Sequence, residues 1–85
     1  MLKKTITIGL SSGLEARPVA MLVQIASQFD SQIYVENNNA RVNAKSIMAV
    51  MSLGVKQGNE VTFTFEGEDE DAAYEAISAF VKENL

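Results

Sequence analysis

Asn43-Ala44-Lys45-Ser46-Ile47-Met48-Ala49-Val50-Met51-Ser52-Leu53-Gly54 reads as a short helix over 46–53 with its start and stop signals in place. Ser46 stands where an N-cap belongs, its hydroxyl able to accept a free backbone N–H of the first turn. Gly54 stands where a left-handed residue closes a helix. At ~100° per residue, Ala49, Val50 and Leu53 fall on one arc and Ile47, Met48 and Met51 on the opposite one. A helix that is apolar all round is either fully buried or has a second partner. A chain of 85 residues is too small to bury such a helix completely. One arc therefore faces the core and the other a partner. Met48 and Met51 as gap-fillers of the core remain the alternative.

Working outward, Ile33 and Val35 alternate with Tyr34 and Glu36 to form a strand. Asn37-Asn38-Asn39 is a tight turn, because Asn tolerates left-handed angles. Ala40-Arg41-Val42-Asn43 returns as its hairpin partner. On the other side, 55–59 is a loop, and Val61, Phe63 and Phe65 alternate with Thr62, Thr64 and Glu66 in the clearest strand of the chain. Gly67 ends it, and Glu68-Asp69-Glu70-Asp71 opens a last helix whose inner face carries Ala73, Ile77, Phe80 and Asn84, edged by Ala76 and Val81. Acids in a first turn complement the helix N-terminus, so this run reads as a solvated helix start. Upstream, Val19, Leu22, Val23 and Ala26 recur at helical spacing, extended by Phe29, and predict a helix over 16–28 with Pro18 in its first turn. Residues 2–10 alternate as a half-buried strand, broken by Ser11-Ser12-Gly13. The order is β-α-β-β-α-β-α in a single domain over 1–85, a two-layer α+β fold with helices on one face of a largely antiparallel sheet.

Composition excludes much chemistry. The chain has neither histidine nor cysteine, so imidazole catalysis, thiolate nucleophiles and His/Cys metal sites are absent. A net charge of −4 argues against direct nucleic-acid binding and against a membrane-surface helix. No apolar run approaches a membrane span, no apolar signal segment opens the chain, and the lack of cysteine fits a cytoplasmic location. The glycines have no phosphate-loop spacing. Glu66, Glu68 and Asp69 cluster, but on a loop and helix start facing water, without the ligand spacing of a calcium loop. The expectation is a protein that is not an enzyme and holds no cofactor or metal.

Two residues have two readings each. Glu15, at the start of the first helix, is a helix-start acid favoured by the macrodipole or a functional group. Ser46 is an ordinary N-cap or a phosphorylation site. A phosphate there adds about −1.5 to −2 charges at a position that favours anions, beside Lys45. The helix would survive, and the surface next to Ile47, Met48 and Met51 would change.

Gly13-Leu14-Glu15-Ala16-Arg17-Pro18 resembles the phosphorylation loop of HPr, the histidine-containing phosphocarrier of the bacterial sugar phosphotransferase system. Lys45-Ser46-Ile47-Met48-Ala49-Val50-Met51-Ser52-Leu53-Gly54 resembles that family's regulatory serine motif, with Ala49 where glycine is frequent. Gly67-Glu68-Asp69-Glu70 resembles the start of its last helix. The resemblance covers essentially the whole chain. It implies an open-faced β-sandwich whose four-stranded antiparallel sheet, order 1-4-2-3, is covered on one face by three helices. The family's phosphoryl-accepting histidine falls on position 15, where this chain has Glu15. A missing histidine with an intact Ser46 motif resembles the Crh branch, although members there carry glutamine at this position.

The resemblance implies a regulator of carbon catabolite repression. An HPr kinase/phosphorylase modifies Ser46, and the phosphorylated protein binds catabolite control protein A, a LacI-type repressor, as corepressor. The implied partner surface is Glu15, Arg17, Ala20, Met21, Gln24, Ile47, Met48 and Met51. Arg17, whose guanidinium can grip phosphate bidentately, is expected to pair with phosphoserine 46. The alternative is an HPr phosphocarrier working through Glu15. The exposed apolar arc and the Ser11-Ser12-Gly13 joint leave a homodimer or strand exchange open.

Overall fold

The computed structural model describes residues 1–9, 16–38 and 40–85, with the side chain of Ala16 left aside. The elements are β1 (Leu2–Thr7), α1 (Ala16–Ala26), β2 (Gln32–Asn37), β3 (Ala40–Asn43), α2 (Ile47–Met51), β4 (Glu60–Glu66) and α3 (Glu70–Asn84). The four strands form one antiparallel sheet in the order β1-β4-β2-β3. This is the architecture that the sequence and its resemblance imply.

Alternation in β4 sets the layers. Val61, Phe63 and Phe65 turn inward and are fully buried, against Ile33 and Val35 of the neighbouring β2. The helices close over that face with Val19, Leu22, Val23 and Ala26 of α1, Val50 of α2, and Ala73, Ile77, Phe80 and Val81 of α3. Phe65 meets Tyr74 of α3 edge-on, ring centroids 5.5 Å apart, a favoured aromatic geometry. Truncating Phe63 or Phe65 to alanine would cost about 3–5 kcal/mol. The opposite face of the sheet is polar. Thr5 and Thr62 share a 3.0 Å hydrogen bond there, and the Arg41 guanidinium lies 4.0 Å over the Tyr34 ring.

Element ends depart from expectation for local reasons. β1 leaves the ladder after Thr7, and Ile8 pairs instead with the loop, its N–H donating to Asn59 and its carbonyl accepting from Gly58. α1 ends at Ala26 rather than 28, because the amides of Gln28 and Phe29 reach back only three residues, to Ile25 and Ala26. α2 is shorter than 46–53. Leu53 and Gly54 bond back three residues to Val50 and Met51, and Gly54 takes φ 62°, the left-handed closure its position predicts. Asn38 carries the hairpin turn at φ 58°; Asn39 lies outside the described residues.

Candidate functional site

The start of α2 is fixed by bonds to β2 and to its own leading turn. The Ala44 N–H donates to the Ile33 carbonyl (2.8 Å), so β2 fixes where the helix begins. Asn43 Oδ1 accepts the Lys45 N–H (2.8 Å), an Asx turn that steers the chain off β3. Ser46 then sits in extended backbone (φ −118°, ψ 115°), and its Oγ accepts the Ala49 N–H at 3.3 Å. The hydroxyl is half-buried. Lys45 does not lie free beside it: its ammonium donates to the Phe29 carbonyl at 2.6 Å, past the end of α1. The sequence put Lys45 next to Ser46 but gave no sign of this distant acceptor.

The two arcs of α2 separate as the spacing requires. Val50 is buried, with Ala49 and Leu53 partly so. Ile47, Met48 and Met51 are 43%, 83% and 43% exposed. The core alternative for the two methionines is thereby excluded. α1 packs against α2, and Arg17, Ala20, Met21 and Gln24 form an exposed stripe at i, i+3, i+4 and i+7. Apart from Met1, the large exposed apolar side chains among the described residues are Met21, Ile47, Met48 and Met51, all on these two helices. Arg17 makes no ion pair among the described residues. Glu15 lies outside them.

The acidic run at 68–71 differs from its sequence reading. α3 begins at Glu70, so only Glu70 and Asp71 occupy the first turn. Asp69 makes no side-chain bond to its own helix. Its carboxylate instead accepts the backbone N–H groups of Asp30 and Ser31, each at 2.9 Å, and the Ser31 hydroxyl. The Ser31 hydroxyl, with the Asp30 amide next in weight, holds the Asp69 carboxyl below its ordinary value of 3.8. Glu70 is lowered too, first by the Met1 ammonium at 2.9 Å and then by the Gly67 amide. These acids are structural ties. Among the described residues no cluster of acids could hold a metal ion, and no helix is long and apolar enough to cross a membrane.

A serine at a helix start, flanked by an outward apolar arc and a neighbouring exposed stripe of mixed polarity on α1, can take a covalent group and present it to a docking partner. Over residues 2–83 the chain matches the family model described as the PTS HPr component phosphorylation site. The HPr-like protein Crh of Bacillus subtilis (strain 168) is 45% identical over the full length of both chains. The chain belongs to the HPr family, in its Crh branch. An HPr structure from Thermoanaerobacter tengcongensis superposes with a TM-score of 0.92 at 52% identity, covering 98% of this chain and 93% of that one. A crystal structure of Bacillus subtilis Crh, described as a swapped, intertwined dimer, matches with a TM-score of 0.78 at 45% identity, covering 100% of this chain and 98% of that one. HPr-like regulation or phosphoryl carriage is thus the general role.

Proposed function

We propose that this protein is a phosphorylation-switched regulator of carbon catabolite repression and not a phosphohistidine carrier. An HPr kinase/phosphorylase transfers phosphate from ATP to Ser46. The product then binds catabolite control protein A as corepressor through the outer faces of α1 and α2. The observation that carries this reading is the pairing of a histidine-free chain with a Ser46 cap that opens directly onto the exposed arc of Ile47, Met48 and Met51.

The chemistry is consistent at each step. The Ser46 oxygen attacks the γ-phosphorus, its proton leaves to a base of the kinase, and ADP departs. The ester adds about −1.5 to −2 charges beside an apolar arc. The partner then needs basic groups for the phosphate and an apolar socket for Met48 and its neighbours. Arg17, unpaired among the described residues, pairs with the phosphate in the modified protein or in the complex. Glu15 and Gln24 form the polar border, and Ala20 allows close approach.

The 52% identity to the Thermoanaerobacter HPr favours the second reading, phosphoryl carriage through Glu15. Two incubations separate them. With HPr kinase/phosphorylase and ATP, one phosphate is expected on the wild type and none on Ser46→Ala. With phosphoenolpyruvate and enzyme I, no transferable phosphate is expected. Transferable phosphate in the second incubation would establish carriage and overturn this reading.

A further inference from the structure

The chain has four methionines and no cysteine. Methionine commonly fills irregular gaps in cores, yet this core is built from isoleucine, leucine, valine, phenylalanine and alanine, and every methionine is exposed. Met1 lies at the head of β1 with its ammonium on Glu70. The other three are Met21 on α1 and Met48 and Met51 on α2, the two helices that pack together. In a chain without thiols, thioethers are the side chains that peroxides oxidise most readily, and exposure governs which of them react.

We propose that Met21, Met48 and Met51 are an oxidative modification site that switches off docking to this face. The inference rests on the reading of α1 and α2 as the docking face, and it gives that face a second control besides Ser46. The oxidant is a peroxide of the hydrogen peroxide class. Its O–O bond breaks, one oxygen forms an S–O bond with the thioether, and water leaves. Sulfur loses the two electrons that the peroxide gains. The product, methionine sulfoxide, replaces an apolar, flexible surface by a polar one, so an apolar socket in the partner loses its match. The fold is not affected, because none of the three side chains belongs to the core. Met48, the most exposed, reacts first among them. A methionine sulfoxide reductase reverses the change.

The test uses the full chain phosphorylated on Ser46, before and after hydrogen peroxide, titrated onto catabolite control protein A. Sites of oxidation are read by peptide mass spectrometry and the fold by circular dichroism. Affinity is expected to fall roughly tenfold or more on oxidation and to return after reductase treatment, while Met21→Leu/Met48→Leu/Met51→Leu, which still carries Met1, is expected to show the same affinity before and after peroxide, at whatever level its leucines set. Oxidised wild type binding within twofold of untreated protein would overturn the proposal, as would an equal loss in the triple leucine variant. If the triple variant fails to bind before treatment, recovery by the reductase decides, and no recovery counts against the proposal. Phosphorylated protein that fails to bind before any peroxide overturns the docking reading itself, and this inference with it.

Discussion

Among the described residues two helix starts carry a capping-type residue, Ser46 at α2 and Asp69 at α3, and they use it in opposite ways. At α2, Ser46 turns its oxygen inward to the Ala49 amide of its own helix and leaves an apolar arc outside. At α3, Asp69 ignores its own helix and reaches 38 residues back, to the amide and hydroxyl of Ser31. The first start is local, closed by one 3.3 Å bond. The second ties the α1–β2 loop to the β4–α3 loop through three bonds and a glycine. The two helix starts therefore tolerate change unequally. A phosphate at Ser46 alters one short helix and its surface, whereas any change at Asp69 or Gly67 loosens two loops that hold the sheet to its helices.

The largest effect in this comparison is expected from Gly67→Ala. Gly67 has φ 151°, and a Cβ there would fall 2.7 Å from the Ser31 Cα, a backbone atom that cannot swing away. Strain and overlap together are expected to cost about 2 kcal/mol or more, read as a lower urea midpoint. If the midpoint does not move, the two-loop tie is not tight.

Next comes Asp69→Asn, which keeps shape but removes the charge that three donors converge on. Its Tm is expected to fall, and acid should reveal why. A carboxyl held below its ordinary 3.8 in the fold contributes stability that is full well above that value and is lost as pH falls through and below it. Wild type should lose its advantage over Asp69→Asn in that acid range and keep it at neutrality. An equal gap at every pH would contradict the assignment.

Ser46→Ala is expected to be milder, about 1 kcal/mol, because only one long cap bond is lost. A full unfolding of the domain by this change would show that α2 is not the local element described. The smallest effect on stability is expected for Met48→Ala, within about 0.5 kcal/mol by thermal melt, since the side chain is 83% exposed. A large loss would mean that Met48 packs against the domain after all.

Legibility in the sequence followed the range of the interaction involved. β4 was readable because alternation of Val61, Phe63 and Phe65 with threonines is a local, period-two signal. The opposed arcs of α2 followed from helical spacing alone, and both arcs are where that spacing puts them. Helix ends were less legible. α1 stops at Ala26 because Gln28 and Phe29 form tighter three-residue bonds, and nothing in residue type announces that. The acids at 68–71 misled for the opposite reason. Asp69 looks like its neighbours in the chain, and what distinguishes it is Ser31, far away in sequence. Lys45 shows the same blindness, its ammonium finding the Phe29 carbonyl. Strand order came from the family resemblance. Glu15 lies outside the described residues, so its part in the candidate surface rests on the resemblance and not on geometry.

Phosphate on Ser46 is expected to convert the outer faces of α1 and α2 into a docking surface. Titration calorimetry of catabolite control protein A with phosphorylated and unphosphorylated protein measures this directly. The phosphorylated form is expected to bind at least tenfold more tightly, with most of the gain lost in Arg17→Ala. Equal affinity of the two forms would contradict it.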